Sequence, residues 1–339
     1  MKRPFKSSDF AYRGMKILLL NSLPGVPSGL RKDNYFQMKM QIAAIAICLS
    51  ILCSCGFNKQ FYQADKLQPN SISALFNNLR HDTTFVHVTG ANFQPVFTDS
   101  KNNPKDMGFT IQSLVFKSES GNKLNGWFFK PDKSIAENGT TMLFLHGNGG
   151  NVFEQMQGPI DFIKQGFQVF LIDYSGYGFS TGKSTREHFL QDGNSALKYM
   201  LTMPGVKNTK VIIYGQSLGG HLSATVAAQN EKAIDGLVME GAPSSHKDIA
   251  AYSFRKVGFL ARILTKEKYP AYKAIEHFHK PVLIIHSSED KVVPEWMVKK
   301  IYAHANEPKY FYEIKYGHIQ GPEHYADSIS FKIKMMLHK

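Results

Sequence analysis

Short apolar runs that alternate with helical stretches dominate the second half of the chain. Five such runs are TMLFLHG, QVFLIDY, KVIIYG, GLVMEGA and PVLIIHSSED. Continuously apolar strands separated by helices indicate a mostly parallel sheet covered on both faces. Two earlier runs, FTIQSLVFKS and KLNGWFFKP, are predicted to be strands joined by a Gly/Asn turn. Helices are expected near 152–165, 186–202, from about Gly219, near 294–305 and at the C-terminus. The pattern predicts one α/β domain over residues 109–339.

Charge and composition exclude several classes of function. The chain has 339 residues, 43% of them hydrophobic and 20% charged, and a net charge of +13. Residues 1–39 carry 8 basic and 2 acidic side chains, and the remainder carries 32 and 25 without a basic cluster. This distribution disfavours a nucleic-acid partner and fits a protein held near an anionic membrane surface better.

The three cysteines lie close together near the N-terminus. Cys48, Cys53 and Cys55 fall within eight residues, and no cysteine follows them. A disulfide framework or a zinc site would need thiols spread through the folded region, so neither is expected. No metal is predicted.

Residues 38–55 have the pattern of a secretory signal. Lys39 precedes an uncharged stretch, 42–52, which is the length of a signal h-region and too short to span a bilayer. The end of the segment, Leu52-Cys53-Ser54-Cys55, resembles the bacterial lipobox. The resemblance implies that Cys55 is acylated and anchors the protein to a membrane of the bacterial cell envelope, on its periplasmic or surface side. A plain cleaved signal or a short membrane anchor is the alternative.

The residues on either side of this signal carry no motif. We expect 1–37 to be an upstream extension without a fold, with translation starting at Met38 or Met40. Residues 56–108 are polar, and we interpret them as a tether and an N-terminal embellishment. The oligomeric state is not predicted.

A serine between glycines follows the apolar run KVIIY. Gly215, Ser217 and Gly219 form a Gly-x-Ser-x-Gly pattern at a strand-to-helix boundary. A nucleophile on such a turn is held above the sheet, and its crowded backbone requires small residues two positions before and after it. The following helix also points its N-terminal amides at the reacting centre. The pattern predicts that Ser217 is a nucleophile.

Two further motifs extend this pattern to a known family. His146-Gly147-Asn148-Gly149-Gly150-Asn151 follows the first central strand, and DYSGYGFSTG runs from Asp173 to Gly182. With the serine turn, these motifs resemble the serine aminopeptidase-like, or Bem46-like, branch of the α/β-hydrolase superfamily. The resemblance implies an α/β-hydrolase fold with a short helical cap insert, here 244–280. The branch usually has Arg after Asp-Tyr, where this chain has Ser175.

The resemblance also implies partners for Ser217. HSSEDKVVP corresponds to the loop that carries the acid and places it at Asp290, and KYGHIQG places the base at His318. Glu240 and Glu289 remain alternative acids, and His324 is an alternative base that we expect inside the last helix. His221 is expected to pack, and His146 to shape its loop.

The predicted oxyanion hole consists of the backbone N–H groups of Leu218 and Asn148. The expected reaction is two-step acyl transfer, with no metal, nucleotide or organic cofactor. The substrate is predicted to be a small-molecule carboxylic ester or thioester, small or lipid-like, so the enzyme would be a carboxylesterase or lipase rather than a peptidase. A serine peptidase or amidase and a non-catalytic envelope lipoprotein remain alternatives.

The cap insert is ambiguous. Its stretch YSFRKVGFLARILTKEKYPAYKAI mixes apolar and basic residues at helical spacing. Such a stretch could flank an acyl pocket, lie on a membrane, or form a small helix over the edge of the sheet.

Overall fold

The structure is a computed structural model that describes residues 62–68, 71–77 and 82–338. The predicted extension 1–37 and the predicted signal 38–55, with Cys55, lie outside these residues. The strands are β1 Ile72–Asn77, β2 Asp82–Thr89, β3 Gln94–Thr98, β4 Phe109–Lys117, β5 Lys123–Pro131, β6 Thr140–Leu145, β7 Gln168–Ile172, β8 Lys210–Gln216, β9 Gly236–Glu240, β10 Val282–Ser287 and β11 Lys309–Ile314. The α-helices are α1 Val152–Gln155, α2 Gln157–Ile163, α3 Arg186–Leu201, α4 Leu218–Gln229, α5 His246–Ser253, α6 Gly258–Leu264, α7 Ala271–Ala274, α8 Glu295–His304 and α9 Gly321–Leu337.

Eight strands form the central sheet in the order β11-β10-β9-β8-β6-β7-β5-β4. The six strands from β11 to β7 are parallel to one another, whereas β5 runs antiparallel to both β7 and β4. The chain reverses its direction of winding at β6, which pairs with both β7 and β8. Ligand sites of open α/β sheets lie at such a reversal, outside the carboxyl ends of the strands.

Side chains of the central strands alternate between two cores, one on each face of the sheet. Leu143, Leu145 and Ile213 face the core that contains α3, α4 and α8. Met142, Phe144 and Ile212 face the other core, which contains α1, α2 and α9. Because both faces are covered, the strands are apolar throughout, as the sequence pattern predicted. This architecture is the α/β-hydrolase fold.

The helix expected near 152–165 is two short helices. Asn151 caps α1 by accepting a hydrogen bond from the N–H of Phe153, and α2 begins at Gln157. Pro159 has no N–H to donate to the carbonyl of Gln155, so one helix cannot run through this position. In the first turn of α2 the same proline is tolerated.

Residues 72–77, 82–89 and 94–98 form a separate antiparallel sheet, β1-β2-β3, that the sequence analysis did not anticipate. Gln94 ties it to the edge of the central sheet, because its side chain donates to the carbonyl of Ile111 at 2.7 Å and accepts from the N–H of Ser113 at 3.0 Å. Val86 and Val88 are buried in the core that contains α9. The small sheet therefore packs as part of the folded unit.

The cap lies between β9 and β10, the sixth and seventh strands of the central sheet, as predicted. It contains α5, α6 and α7, so the insert is helical and short. Within the described parts of the chain, none of the helices combines the length and the apolar content needed to cross a bilayer.

Candidate active site

Ser217 occupies the turn between β8 and α4. Its backbone has φ 51° and ψ −115°, a strained combination for a residue with a side chain. A Cβ atom at Gly215 would lie 2.5 Å from the carbonyl oxygen of Gly219, and one at Gly219 would overlap the carbonyl of Leu145. The two glycines are therefore required by close backbone contacts, which is the reason that the sequence analysis gave for them.

The surroundings of Ser217 come from two neighbouring loops. Its N–H donates to the carbonyl of Glu240 at 2.9 Å. A Cβ atom at Gly147 would lie 3.4 Å from the Cβ of Ser217, so the loop after β6 passes directly beside the serine. Leu218 is the first residue of α4, and its N–H has no partner inside the helix. Of the residues predicted for an oxyanion hole, Leu218 directly follows the serine, and Asn148 lies in the loop that passes beside it.

Asp290 and His318 form a hydrogen-bonded pair on the loops after β10 and β11. Nδ1 of His318 donates to Oδ2 of Asp290 at 2.6 Å, and Oδ1 accepts from the N–H groups of Val292 and Val293 at 2.8 and 2.9 Å. Burial raises the pKa of the Asp290 carboxyl, but the hydrogen bond to His318 and these N–H groups outweigh burial, so the pKa is lowered. The carboxylate therefore stays ionised and orients the imidazole.

The other nitrogen of His318, Nε2, is buried and unpaired among the described residues. Since Nδ1 carries the proton donated to Asp290, Nε2 of the neutral ring has a free lone pair. Nε2 is buried and has no hydrogen-bond partner among the described residues, so it forms no hydrogen bond with Ser217. A Cβ atom at Gly241 would lie 3.1 Å from Cε1 of His318, which places the ring against the turn after Glu240. Hydrogen bonds between a catalytic base and its nucleophile are often absent without substrate and form in the complex.

Glu240, an alternative acid, is buried beneath the serine turn. Its carboxylate accepts hydrogen bonds from the Tyr214 hydroxyl at 2.7 Å, the Gln216 amide at 2.8 Å and the N–H of Gly321 at 2.7 Å. The same Gln216 amide donates to the carbonyl of Ile319 at 3.1 Å. Burial outweighs the three donors and the nearby His318, so the pKa of Glu240 is raised. Glu240 has no hydrogen bond to His318, and it links β8, β9 and the loop that carries His318.

The remaining alternatives lie elsewhere. Glu289 is exposed on the Asp290 loop. His324 is in α9 as expected, with its ring stacked on Tyr316 at 3.8 Å. A surface pocket of ≈ 470 Å³ opens beside His318, lined by Glu289, Lys291, Val292 and Gly317. This pocket is next to the imidazole and gives it an approach from solvent.

The loop after β6 is held by the N-terminal segment 62–68. The side chain of Asn148 accepts hydrogen bonds from the N–H of Gln63 at 2.8 Å and from the Tyr177 hydroxyl at 3.3 Å. Burial lowers the pKa of His146 to about 4, and its Nδ1 lies 2.9 Å from the carbonyl of Gly147, so this histidine shapes the loop as expected. The sequence carried no signal for the contact of Gln63 with Asn148.

The same segment also crosses the DYSGYG loop. The backbone carbonyl of Asp65 accepts from the N–H of Gly178 at 2.7 Å, and the N–H of Leu67 donates to the carbonyl of Gly178 at 3.1 Å. In this loop Ser175, the departure from the family pattern, is buried, and its N–H and hydroxyl bond the Asp192 carboxylate at 2.7 and 3.0 Å. The serine therefore ties the loop to α3.

His221, His246 and Glu267 form the one cluster in the described residues whose donor atoms could hold a metal ion, all within 4.8 Å. His221 packs as expected, with Nδ1 donating to the carbonyl of Pro243 at 3.0 Å. Nδ1 of His246 lies 2.9 Å from Glu267 and 3.2 Å from Nε2 of His221. Burial lowers the pKa of both histidines. Neutral imidazoles beside a carboxylate suit a divalent ion, but hydrogen bonds within the cluster already account for their arrangement.

The fold and this set of contacts define an α/β-hydrolase architecture with a strained serine turn and a buried Asp–His pair. In agreement, a family model described as alpha/beta hydrolase fold matches residues 140–260. The uncharacterized protein YfhR of Escherichia coli O157:H7 is 28% identical over 204 residues, which span 59% of this chain and 70% of that protein. Protein bem46 of Schizosaccharomyces pombe is 28% identical over 193 residues, 56% of this chain and 64% of that protein.

Solved structures show the same fold. An esterase of Pyrococcus furiosus superposes with a TM-score of 0.58 at 18% identity, covering 69% of this chain and 94% of the esterase. An α/β hydrolase of Vibrio vulnificus superposes with a TM-score of 0.56 at 25% identity, covering 67% of this chain and 81% of the hydrolase. The chain thus has the α/β-hydrolase fold and relatives similar to Bem46 and YfhR.

Proposed function

We propose that this protein is a serine hydrolase that cleaves carboxylic esters or thioesters through Ser217, His318 and Asp290. The observation that carries the proposal is the 2.6 Å Asp290–His318 hydrogen bond, which leaves Nε2 of His318 with a buried, unpaired lone pair. A serine hydroxyl needs such a base to remove its proton, and the base needs a group that fixes its orientation.

The proposed reaction is an acyl transfer in two steps. Oγ of Ser217 attacks the substrate carbonyl carbon while Nε2 of His318 takes its proton, and Asp290 stabilises the resulting imidazolium. The N–H groups of Leu218 and Asn148 receive the oxyanion, and the loss of one such donor typically costs about 100–1,000-fold in rate. The imidazolium then protonates the leaving alcohol or thiol. Water, deprotonated by His318, releases the acid from the acyl-enzyme.

The substrate class is supported by chemistry and by resemblance. Esters and thioesters have better leaving groups than amides. A site with a serine nucleophile, a histidine base and an oxyanion hole therefore acts on them most readily. The structural neighbour from Pyrococcus furiosus is named as an esterase. We therefore place carboxylic esters and thioesters of small or lipid-like acyl groups ahead of peptides.

Ester turnover and active-site labelling test the proposal. The full chain is assayed with p-nitrophenyl esters from acetyl to palmitoyl and with an aminoacyl anilide, beside Ser217→Ala and His318→Gln. His324→Gln is the matched control, because that histidine lies six residues on and stacks on Tyr316. We expect ester turnover and fluorophosphonate labelling that are lost in Ser217→Ala and His318→Gln and retained in His324→Gln. Anilide turnover alone would favour a peptidase, and an unlabelled, inert protein would favour a non-catalytic lipoprotein.

We also propose that Cys55 is lipidated and holds the protein to the bacterial envelope. The support is the Leu52-Cys53-Ser54-Cys55 pattern after an apolar stretch. Detergent phase partition and peptide mass analysis of Cys55→Ser test it, with Cys53→Ser as the matched neighbour. We expect only Cys55→Ser to lose the lipid mass. An unmodified Cys55 in the native protein would refute the anchor and leave the hydrolase proposal standing.

A further inference from the structure

The outer side of the second cap helix presents apolar side chains to solvent. Val257, Phe259, Leu260 and Ile263 are 53%, 81%, 51% and 58% exposed, and together we call them the cap face. Phe259 is the most exposed large apolar side chain in the described part of the chain. Single exposed apolar residues are ordinary on a protein surface, but four on one short segment indicate a surface that is covered by something else.

The exposed charged side chains within residues 249–266 are all basic. Residues 249–266 contain four basic side chains, Arg255, Lys256, Arg262 and Lys266, and no acidic one. Arg262 is half exposed and pairs with the buried carboxylate of Asp248, so α6 is held to α5 by a charged contact. Arg255 and Lys266 are exposed on either side of the apolar residues. An apolar strip bordered by cations is the composition of a helix that lies in the interface of an anionic bilayer.

The cap is joined to the elements that carry the candidate nucleophile. His246, the first residue of α5, lies with its ring 4.4 Å from that of His221, one turn after Ser217. The guanidinium of Arg186 donates to the carbonyl of Lys266 at 2.6 Å. These contacts fix the inner side of the cap and leave the cap face outward.

The N-terminal segment leads to the same part of the molecule. Tyr62 packs on Phe189 with ring centroids 4.6 Å apart. Burial outweighs the effects of the nearby Arg186 guanidinium and the Tyr269 hydroxyl of the cap, and it raises the pKa of Tyr62 to about 12. Cys55 precedes Tyr62 by seven residues, so a chain extended at ~3.6 Å per residue keeps it within about 25 Å. An anchor at Cys55 would therefore hold the bilayer within reach of the cap.

We propose that the cap face docks onto an anionic lipid bilayer, with Phe259, Leu260 and Ile263 inserted among the acyl chains and Arg255 and Lys266 at the headgroups. The docked cap places the serine turn next to the bilayer, where a lipid-like ester would be found. The orientation argument rests on the proposed anchor at Cys55, whereas the docking itself needs no lipidation and no catalysis.

A tryptophan placed on the cap face reports its insertion locally. Phe259→Trp is made in a Trp296→Phe background of the full chain, because Trp296 is 48% exposed and the remaining Trp127 is buried. The matched control is Phe331→Trp in the same background, since Phe331 is 64% exposed on α9. The proteins are mixed with vesicles of phosphatidylcholine, with or without phosphatidylglycerol, that carry brominated acyl chains.

We expect the tryptophan at 259 to shift to shorter wavelength and to be quenched, more strongly with phosphatidylglycerol, and the tryptophan at 331 to do neither. Arg255→Gln with Lys266→Gln should weaken partition about thirty-fold, because each cation near an anionic leaflet contributes roughly a factor of five. Absent or equal quenching at 259 and 331 would overturn the proposal. So would a blue shift without vesicles that grows with protein concentration, because the cap face would then be covered by a second copy.

These readouts separate the docking proposal from the hydrolase proposal. Quenching at 259 depends on neither Cys55 lipidation nor ester turnover, and fluorophosphonate labelling of Ser217 in the same samples reports the hydrolase site independently. Quenching at 259 without labelling of Ser217 would refute the hydrolase proposal and support the docking proposal. Labelling without quenching would do the reverse.

Discussion

The buried carboxylate of Glu240 accepts a 2.7 Å hydrogen bond from the N–H of Gly321, three residues after His318. The same carboxylate accepts from Gln216, which immediately precedes Ser217 and also bonds the carbonyl of Ile319. Both Tyr316 and Ile319 have positive φ, at 77° and 53°, so the loop that carries His318 is strained and needs support. Glu240 therefore acts as a positioning residue that holds the serine turn and the histidine loop together.

Replacing Glu240 should strongly lower the free energy of unfolding. It should have a much smaller effect on the ester turnover of the enzyme that is folded. Glu240→Ala leaves the donors on Tyr214, Gln216 and Gly321 without an acceptor, and each unsatisfied buried donor costs on the order of 1–3 kcal/mol, so we expect a loss of about 3 kcal/mol or more in the free energy of unfolding. Tyr214→Phe removes one donor and should cost about 1 kcal/mol. Urea unfolding measures both. Ester turnover per fluorophosphonate-labelled site that fell about 10,000-fold in folded Glu240→Gln would instead make Glu240 the acid.

Asp290→Asn should keep the fold and lose most of the turnover. The amide presents an NH₂ or a weaker acceptor to Nδ1 of His318, so the ring no longer keeps a free Nε2 lone pair and its cation is no longer stabilised. We expect kcat for an ester to fall about 1,000- to 10,000-fold, as in other acid-to-amide changes of such sites. Glu289→Gln, on the same loop and exposed, should lower kcat far less, because the imidazole donates its hydrogen bond to Asp290 and not to Glu289. Equal effects of the two changes would contradict the assignment of Asp290.

Ser217→Gly should give a more stable but inactive protein. The backbone at 217 has φ 51° and ψ −115°, which glycine adopts with less strain. Ser217→Ala keeps the Cβ and its strain, so the difference in unfolding free energy between the two variants isolates the backbone term. We expect the free energy of unfolding of Ser217→Gly to exceed that of Ser217→Ala by about 1 kcal/mol. If Ser217→Gly is instead the less stable variant, the turn is not strained.

The cap should lose its charged support at low pH. Burial raises the pKa of Asp248, but hydrogen bonds from Ser244, Lys300 and Arg262 outweigh it and lower the pKa to about 2. Because the folded pKa lies below the unfolded value of ~3.9, the stability that Asp248 supplies is complete above about pH 4 and is lost as the pH falls toward 2.

Urea unfolding of Asp248→Asn tests this dependence. At pH 6 we expect a loss of about 2 kcal/mol, a moderate value because Arg262 is half exposed, and a smaller difference from the native protein at pH 3. Asp161→Asn, which breaks an exposed pair with Lys164, should cost less than about 0.5 kcal/mol at either pH. A difference that grows on acidification would show that Asp248 is not stabilised by its cations.

The fold could be predicted because its strands are buried on both faces. Leu143 and Met142 face opposite cores, so the run that contains them is apolar throughout and recognisable without any knowledge of its partners. The neighbourhood of Ser217, Asp290 and His318 could be anticipated for a related reason, since parallel strands bring their carboxyl ends to one edge of the sheet.

What could not be predicted depends on contacts between distant segments. Glu240 was identifiable only as an acidic residue at a strand end, since its donors lie 26, 24 and 81 residues away. The sheet β1-β2-β3 has a weaker signal, an alternation in which Val86 and Val88 are buried and His87 is not, inside an otherwise polar stretch. The contact of Gln63 with Asn148 uses a main-chain N–H, which every residue except proline possesses, so no side-chain pattern could mark it.

The contact between Gln63 and Asn148 should affect the rate of ester hydrolysis. The N–H of Gln63 donates to the side chain of Asn148, in the loop that supplies one N–H of the proposed oxyanion hole. Gln63→Pro removes the donor, whereas Gln63→Ala keeps it and changes only an exposed side chain. We expect Gln63→Pro to lower kcat for esters by about ten-fold, the effect of losing about 1.4 kcal/mol of transition-state stabilisation, with little change in KM. Gln63→Ala should match the native enzyme. Equal kcat values for the two variants would mean that residues 62–68 cover the loop without helping to position it.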